Sequence, residues 1–217
     1  MISYNPPCMT SERISELLAP FLEDDRLSEK QLAQISSYNE LLTKWNAHIN
    51  LTSVRDPEEI ITRHFGESFF AAKLLIPEDA QGLAAIDVGS GAGFPGLPLK
   101  IWNPELALTL VEAHGKKAIF LREVVRALGF SGVKVFADRA ENLTEQADLV
   151  TLRAVERFEK ALAVAAKLVA PAGRLALLIG DTQIETAELI LREVVWEAPV
   201  ALPLSRGRSL LVGRVPA

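Results

Sequence analysis

The sequence predicts a mixed α/β fold in which a helical N-terminal part precedes a mainly parallel sheet. Residues 1–80 carry apolar residues at helical spacing. From about Ala84, short apolar runs alternate with helical patterns, as they do in parallel sheets covered by helices. The chain ends in two apolar stretches joined by the turn-prone segment SRGR. We therefore expect a helical extension over residues 1–80, packed on the core, and a second domain over residues 81–217.

Three helix starts are recognisable in the N-terminal part. Ser11 is a candidate N-cap for the helix SERISELLAPFL, and Ser28 followed by Gln31 predicts a capping box for the next helix. Asp56 before Pro57 predicts the third start, because proline suits the first helical position and an acidic cap suits the helix dipole. No strand is evident in this part of the sequence.

Five apolar runs predict the parallel strands of the sheet, namely LAAIDV, ALTLVEA, GVKVFA, ADLVTLR and GRLALLI. Between them lie the helical patterns KKAIFLREVVRALG, closed by Gly129, and ERFEKALAVAAKLVAP, ended before Pro171 and Gly173. The final stretches, VVWEAPVALPL and SLLVGRVPA, leave no room for a crossover helix and should pair antiparallel. Five parallel strands plus a C-terminal antiparallel hairpin is the plan of the Rossmann-like class I methyltransferases, whereas a dehydrogenase would continue with another parallel crossover.

The composition limits which classes of partner and which cellular compartment fit this protein. The chain has 217 residues, a formal net charge of −5 and one cysteine, Cys8, which excludes disulfides within the chain and disfavours a thiol site. Residues 1–80 hold 7 Lys/Arg against 13 Asp/Glu and residues 81–217 hold 16 against 15, so the acidity belongs to the N-terminal part. The sequence shows no signal-peptide pattern and no apolar run of membrane-spanning length. We expect a cytoplasmic protein with no membrane partner.

The segment DVGSGAGFPGLPL, from Asp87 to Leu99, joins the first predicted strand to a helix. Its glycines permit positive φ and the close approach of a ligand. A triphosphate loop would need Gly-Lys-Ser/Thr at its end, but Leu97 and Pro98 follow Gly96. Three interpretations remain: a tight turn without a ligand, a dinucleotide site, whose Gly-x-Gly-x-x-Gly pattern GAGFPG matches literally, and a site for S-adenosyl-L-methionine.

Two features favour S-adenosyl-L-methionine over a dinucleotide. The dinucleotide match begins beyond the strand end at Val88, whereas the phosphate-binding glycine should lie in the first turn. Asp87 precedes the first glycine, where its carboxylate would face the bound molecule and would suit a cationic amino acid better than a pyrophosphate. Glu112, at the end of the second strand, can accept hydrogen bonds from the ribose hydroxyls of either cofactor. Asp138 and the Ala140–Glu141 amides lie where an adenine ring is expected.

The absence of two catalytic features from the sequence restricts the class of methyl acceptor. The Asn/Asp-Pro-Pro-aromatic turn that serves exocyclic base amines is absent after the fourth strand, which reads TLRAVERF, and Cys8 is the only thiol for attack on a pyrimidine. Guanine N7 exposes a lone pair with no proton to remove, so positioning and electrostatics suffice. Arg153 suits a phosphate, a base edge or a structural ion pair, and is unsuited to general-base work. His48, His64 and His114 show no metal-ligand spacing, so no metal is expected.

Six segments together resemble one family, the bacterial 16S ribosomal RNA guanine-N7 methyltransferases called RsmG or GidB. They are KWNAHINLTSVRDPEEIITRHFGES (Lys44–Ser68), DVGSGAGFPGLPL (Asp87–Leu99), GKKAIFL (Gly115–Leu121), DRAENL (Asp138–Leu143), LRA (Leu152–Ala154) and GRSLLV (Gly207–Val212). The resemblance covers nearly the whole chain after about residue 35. It implies an S-adenosyl-L-methionine-dependent enzyme that methylates N7 of a single guanosine of 16S rRNA near the decoding site.

The resemblance also implies roles for individual residues. Arg139 and Arg153 resemble the active-site arginines of the family, with Arg153 also bordering the cofactor, and Arg208 resembles its C-terminal basic residue. Arg63 and His64 match the pattern before the sheet and are expected on the RNA-facing rim. The residues expected to contact the cofactor are Gly89, Gly91, Phe94, Glu112, Ala140 and Glu141, together with Asp87. We expect the RNA to meet the carboxyl edge of the sheet rather than the acidic helical part.

One position departs from the family pattern. Members usually read Ala-Leu-Lys-Gly at the end of the fifth strand, whereas this chain has isoleucine, Ile179, in place of the lysine. We expect a nearby basic residue to substitute for the lost charge. Two alternatives follow: a methyltransferase acting on a small molecule or a protein, and a noncatalytic cofactor-binding module. The expected partner is 16S rRNA or a small ribosomal subunit particle, bound by a monomer.

Overall fold

The computed structural model describes residues 9–77 and 80–216, so Cys8 lies outside the described residues. The predicted helical extension is present. Its helices are α1 (Ser11–Leu22), α2 (Glu29–Asn46), α3 (Pro57–Ile60) and α4 (Glu67–Leu75), and a π-helical segment, Ile61–Gly66, joins the last two. The helices that follow are α5 (Gly96–Trp102), α6 (Gly115–Ala127), α7 (Phe158–Lys167) and α8 (Ile184–Ile190).

The helix caps follow the sequence with one exception. The capping box that opens with Ser28 and the cap at Asp56 are both present. The first helix is capped by Thr10, whose Oγ1 accepts the Arg13 amide at 3.2 Å. The prediction of Ser11 as N-cap is therefore wrong by one residue. Thr10 has the extended backbone that a cap requires, whereas Ser11 already lies in the helix.

The strands form a single sheet. Their bounds are β1 (Ala84–Val88), β2 (Ala107–Val111), β3 (Val133–Phe136), β4 (Ala147–Arg153), β5 (Val169–Gly180), β6 (Val195–Trp196), β7 (Val200–Ala201) and β8 (Arg208–Arg214). The order is β3-β2-β1-β4-β5-β8-β6, with β7 also pairing with β8. Strands β1 to β5 pair in parallel, and β8 is antiparallel to β5, β6 and β7. The five parallel strands and the closing antiparallel pairing are confirmed.

The fifth strand begins earlier than the sequence predicts. Helix α7 ends at Lys167 and β5 starts at Val169, so Pro171 and Gly173 lie inside the strand rather than ahead of it. The register between β4 and β5 shifts over these residues. A bulge tolerates proline because its extra residues make no ladder hydrogen bond.

The helical extension shares its apolar core with one face of the sheet. Ile14, Ile35 and Phe69 are fully buried in the cluster that also contains Leu110 of β2. The other face packs on α7 and α8, where Leu162 of α7 is fully buried. The division of the chain between residues 80 and 81 into two domains stays a prediction. Within the described residues, none of the helices combines the length and apolarity needed to cross a bilayer.

Candidate functional site

A cavity of about 820 Å³ opens at the carboxyl edge of the sheet, beyond the ends of β1, β2, β4 and β5. Ligands of open α/β sheets bind at this edge. All but one of the site residues predicted from the sequence line the cavity, and the exception is Asp87. Those that line it are Arg63, His64, Gly89, Gly91, Phe94, Glu112, Arg139, Ala140, Glu141, Arg153 and Arg208.

Gly89 and Gly91 bring the main chain to the cavity wall. Their φ angles are +69° and +55°, in the left-handed region that favours glycine. A Cβ on Gly89 would meet the Val155 side chain at 2.8 Å, whereas a Cβ on Gly91 would meet nothing closer than 3.7 Å. A side chain at residue 91 would therefore occupy cavity space rather than collide with the protein.

Gly93 is required by packing beneath the loop. Its φ is +94°, and a Cβ there would lie 2.3 Å from the Tyr38 hydroxyl. Tyr38 of α2 is fully buried, donates its hydroxyl proton to the Ala92 carbonyl and stacks on Phe94, with ring centroids 5.3 Å apart. The helical extension therefore supports the glycine loop from the side opposite the cavity.

Asp87 lies behind the loop rather than in the cavity. It is 1% exposed, and its Oδ1 accepts the Thr151 hydroxyl at 2.7 Å while its Oδ2 accepts the Gly96 amide at 3.4 Å. Burial raises the pKa of the Asp87 carboxyl to about 6, although the Thr151 hydrogen bond acts in the opposite direction. The structure therefore does not place this carboxylate in the cavity wall, where the sequence predicted it. It ties β1 to β4 and anchors the first residue of α5.

Glu112 ends β2 and faces the cavity. Its Oε2 accepts the Gly91 amide at 2.8 Å and its Oε1 accepts the His114 amide at 2.7 Å. Each carboxylate oxygen has two lone pairs, so each can accept a further hydrogen bond. Two main-chain donors thus orient the carboxylate at the point where the sequence predicts contact with ribose hydroxyls.

The segment after β3 forms another wall of the cavity. Residues Ala140–Asn142 make a short 3₁₀ turn, and Asp138 accepts the Asn142 side-chain amide at 2.9 Å and the Arg139 amide at 2.7 Å. These hydrogen bonds lower the pKa of the Asp138 carboxyl, that from Asn142 most of all. The turn presents the Ala140 and Glu141 main chain to the cavity, while Arg139 is exposed at its rim.

Two arginines converge on one buried carboxylate beside β4. Glu67, the first residue of α4, is 2% exposed and pairs with Arg153 Nη2 at 2.8 Å and with Arg208 Nη2 at 2.6 Å. Burial raises the pKa of the Glu67 carboxyl, and the two guanidiniums oppose that rise. Two cations face one anion, so the group has a net positive charge. We call Glu67, Arg153 and Arg208 the arginine corner.

The π-helical segment supplies the other partners of Arg153. Its Nη2 donates to the Arg63 carbonyl at 2.8 Å and lies 3.2 Å from His64 Nδ1. A guanidinium cannot accept a proton from the ring, so a neutral His64 keeps its unprotonated nitrogen, Nδ1, toward Arg153, and Nε2 carries the proton and donates to Thr52 Oγ1 at 2.7 Å. Burial, aided by the charge of Arg153, lowers the pKa of His64 to about 3, so the ring is neutral at pH 7.

The two predicted rim residues differ in exposure. Arg63 is exposed and pairs with Glu59 at 3.4 Å on the same helical face. The ring of His64 is enclosed between Arg153 and Phe94, with ring centroids 5.0 Å apart in the aromatic contact. The structure therefore places Arg63 at the rim and His64 in the cavity wall.

Ile179 lines the cavity but contributes no charge to it. It is 4% exposed and packs in the apolar cluster on the α7 side of the sheet. Arg208, on the neighbouring strand β8, pairs in register with the next residue, Gly180. Arg157 and Lys160 line the same cavity. Because side chains alternate along a strand, Arg208 faces the other side of the sheet from Ile179, and the basic residues of the cavity on the α7 side are Arg157 and Lys160.

The histidines do not form a metal site. His64 is engaged by Thr52 and Arg153, and His114 contributes its amide to Glu112. His48 does not line the cavity. Across residues 9–77 and 80–216, no group of three or more His, Cys, Asp or Glu side chains is placed to hold a metal ion.

Comparison with known proteins identifies the family. Residues 31–199 match the GidB family, described as rRNA small subunit methyltransferase G. The chain is 40% identical over 200 residues to the ribosomal RNA small subunit methyltransferase G of Roseiflexus castenholzii, covering 86% of this chain and 84% of the relative. The chain belongs to this methyltransferase family. The protein of the same name from Xanthomonas axonopodis pv. citri is 40% identical over 169 residues, 77% of each chain.

Membership confirms the predicted family and S-adenosyl-L-methionine as the cofactor of this methyltransferase. The fold also agrees with solved methyltransferases. The N-methyltransferase NodS from Bradyrhizobium japonicum, solved with S-adenosyl-L-homocysteine, matches with a TM-score of 0.59 over 85% of this chain and 99% of that chain. At 17% identity this likeness shows the fold alone. The Rossmann-like class I plan is thereby confirmed.

Two residues of this site, Glu67 and Tyr38, were not predicted from the sequence. Glu67 lies within a quoted segment, and its only signal was an acidic residue inside an otherwise apolar helix. Tyr38 lies on the apolar stripe of α2 and was indistinguishable from an ordinary core residue. Both act through contacts with residues distant in the chain, which no local pattern encodes.

Proposed function

We propose that this protein transfers the methyl group of S-adenosyl-L-methionine to N7 of one guanosine of 16S rRNA near the decoding site. Family membership supports an rRNA acceptor. The choice of guanine N7 as the acceptor atom rests on the arginine corner, where a buried carboxylate holds two guanidiniums at the cavity. We place the reaction in the cytoplasm, catalysed by a monomer that acts on 16S rRNA or a small-subunit particle.

The cavity fits the cofactor. The open space beside Gly91 admits a ligand against the main chain, and Glu112 has free lone pairs for ribose hydroxyls. We assign Gly89 and Gly91 to the amino-acid part of the cofactor, and Ala140 and Glu141 to its adenine. Phe94, stacked on Tyr38, completes the wall. When bound, the cofactor supplies an electrophilic methyl group on a sulfonium.

The arginine corner suits an acceptor that needs no deprotonation. Both oxygens of Glu67 are paired with guanidiniums, and both nitrogens of His64 are engaged. None of these groups is free to remove a proton, as an amine acceptor or a thiol-dependent carbon acceptor would require. Guanine N7 already presents its lone pair, and an arginine can donate to the neighbouring O6 or to a phosphate. Holding the base in position can supply about 7 kcal/mol or more of the barrier reduction.

The exposed cations of the cavity are placed to meet RNA. Arg63 and Arg139 lie at the rim, and Arg208 is partly exposed while it pairs with Glu67. Phosphate oxygens are recognised by such groups without reference to base sequence. We therefore assign Arg63, Arg139 and Arg208 to the substrate RNA, with Arg139 and Arg153 nearest the reacting base. His64 supports Arg153 from the cavity wall.

Labelled S-adenosyl-L-methionine tests the acceptor class. The purified protein is incubated with undermethylated 16S rRNA, with small subunits and, separately, with an RNA-free cell extract. We expect label in RNA only, and its loss in Arg153→Ala with cofactor binding retained by calorimetry. Label confined to proteins or small molecules would favour a methyltransferase of another substrate class. Cofactor binding without transfer to any preparation would favour a noncatalytic module.

A further inference from the structure

A second groove lies at the far end of α6 from the cavity. Its volume is about 470 Å³, and its walls are Arg122 and Arg126 of α6, Phe130 of the following turn, and Val133 and Val135 of β3. Helix α6 borders both concavities, because its preceding residue and its first turn line the main cavity. With 13 residues and a rise of 1.5 Å each, the helix is about 20 Å long, and the nearest lining residues of the two concavities, Lys117 and Arg122, are about 8 Å apart along its axis.

The charge of α6 is unbalanced. The helix carries four Lys/Arg against a single acid, Glu123, in a chain whose net charge is −5. In the described part of the chain, Arg122 and Arg126 form no ion pair. No carboxylate lines the groove. Both guanidiniums are exposed, so their charge is available to an anionic partner.

The groove combines the two elements that bind single-stranded nucleic acid. Arg122 and Arg126 are four residues apart and thus neighbours on one helix face, about 6 Å apart at Cβ. Guanidiniums bind phosphate oxygens through paired hydrogen bonds. The half-buried ring of Phe130, flanked by valines of an edge strand, offers an apolar surface on which a base can stack.

We propose that this groove is a second contact for the RNA substrate, with Arg122 and Arg126 on backbone phosphates and Phe130 against an unstacked base. The proposal rests on the RNA methyltransferase function argued above. The RNA would reach from the cavity along α6 to the groove, so the enzyme would recognise its substrate at two points. A fragment that carries the target guanosine but is too short to span α6 would then bind weakly.

The salt dependence of RNA binding tests this surface. The variant R122A/R126A is compared with the unmodified protein and with K30A/K44A, which removes two exposed cations of α2 that form no ion pair among the described residues. Binding of 16S rRNA is measured by filter binding from 50 to 200 mM KCl. Loss of two phosphate contacts should make the slope of log K against log salt shallower by about 1.4 to 1.8. Cofactor affinity by calorimetry and the thermal midpoint should not change, and K30A/K44A should keep the original slope.

Phe130→Leu separates stacking from charge. It keeps an apolar side chain but removes the ring, so we expect RNA affinity to fall about fivefold or more with the salt slope unchanged. An unchanged slope in R122A/R126A would overturn the groove as an RNA contact and leave the proposed function intact. Unchanged binding of naked RNA with weaker binding of small subunits would assign the groove to a ribosomal protein instead. Failure of the unmodified protein to bind or methylate RNA would overturn the proposed function itself.

Discussion

The side of the cavity that we assign to the cofactor and the arginine corner are built in different ways. On the cofactor side, each group follows directly from the end of a strand, and Glu112 contacts the glycine loop 21 residues away. In the arginine corner, Glu67 meets Arg153 across 86 residues and Arg208 across 141 residues. The corner therefore forms only when the helical extension, β4 and β8 are packed together. The extension is thus part of the site and not an addition to it.

Glu67→Ala should have the largest effect on stability. It leaves Arg153 buried without its carboxylate, and breaking a buried pair in this way costs about 3–5 kcal/mol. The free energy of unfolding, measured by urea denaturation, should fall by that amount, and Glu67→Gln, which keeps the size and one acceptor, should lose less. A stability equal to that of the unmodified protein would show that the corner does not depend on Glu67.

Arg153→Ala should lower kcat for RNA methylation about 10²–10³-fold, the usual effect of removing a fixed donor at a reacting centre. Although Arg153 was predicted to border the cofactor, its side chain is only 8% exposed and its Nη2 is held by Glu67 and the Arg63 carbonyl, so cofactor affinity should stay the same. Arg153→Lys, which keeps the charge but loses the planar fork, should give an intermediate rate. Parallel loss of cofactor binding and methylation would assign Arg153 a structural role.

A matched pair of loop variants separates packing from ligand contact. Gly93→Ala places a methyl group against the Tyr38 hydroxyl at positive φ and should lower the free energy of unfolding by about 2–4 kcal/mol. Gly91→Ala has the same backbone penalty without that collision, so it should cost about 1–2 kcal/mol. Its main effect should be a loss of cofactor affinity, which Gly91→Val should make complete. Equal cofactor affinity in Gly91→Val and the unmodified protein would refute the placement of the loop.

Acid should destabilise the protein through His64. Its pKa is about 3 when folded and near 6.5 when unfolded, so between these values the unfolded chain binds more protons. The free energy of unfolding should therefore fall as the pH falls from 6.5 toward 3, by up to about 1.4 kcal/mol per pH unit. Asp87, whose folded pKa is raised to about 6, contributes in the opposite direction. The measurement is therefore the difference between His64→Gln and the unmodified protein at pH 7 and pH 5, and no difference in pH dependence would contradict the neutral state of His64.

Tyr38→Phe should have the smallest effect. It removes the hydrogen bond to the Ala92 carbonyl and keeps the stack on Phe94, at a cost of about 1 kcal/mol. If the loop shifts as a result, the Kd for the cofactor should rise roughly fivefold at unchanged kcat. A change in kcat alone would place Tyr38 closer to the chemistry than the structure does.

Local chemistry explains what could be predicted from the sequence. The caps at Ser28 and Asp56 bind main-chain groups within the first turn of their own helices. The glycine loop and Glu112 directly follow the ends of neighbouring strands, where ligand-binding groups are expected. Strand periodicity likewise predicted the sheet, although the start of β5 was missed because its bulge interrupts the pairing. A local pattern does not predict a bulge when its residues, here Pro171 and Gly173, are equally typical of a loop.

Tertiary packing explains what could not be predicted. Asp87 was assigned to the ligand because it adjoins the glycine loop, but burial against Thr151 turned its carboxylate away from the cavity. The role of Glu67 depends on two arginines that β4 and β8 bring to it in the folded chain, and the sequence around Glu67 does not indicate them. Its placement also depends on the π-helical segment before α4, a geometry that occurs mostly as a single turn and often at functional sites.

We infer that the acceptor is a nucleophile that needs no base, N7 of a guanine in 16S rRNA. Mass spectrometry of nucleosides from 16S rRNA, taken from cells with and without the protein, tests it most directly. We predict one N7-methylguanosine per 16S rRNA molecule that is present with the protein, absent without it, and reduced in cells that carry only Arg153→Ala. A methyl group that depends on the protein but lies on a base amine or a ring carbon would show that N7 is not the acceptor. An N7-methylguanosine content that does not depend on the protein would show the same.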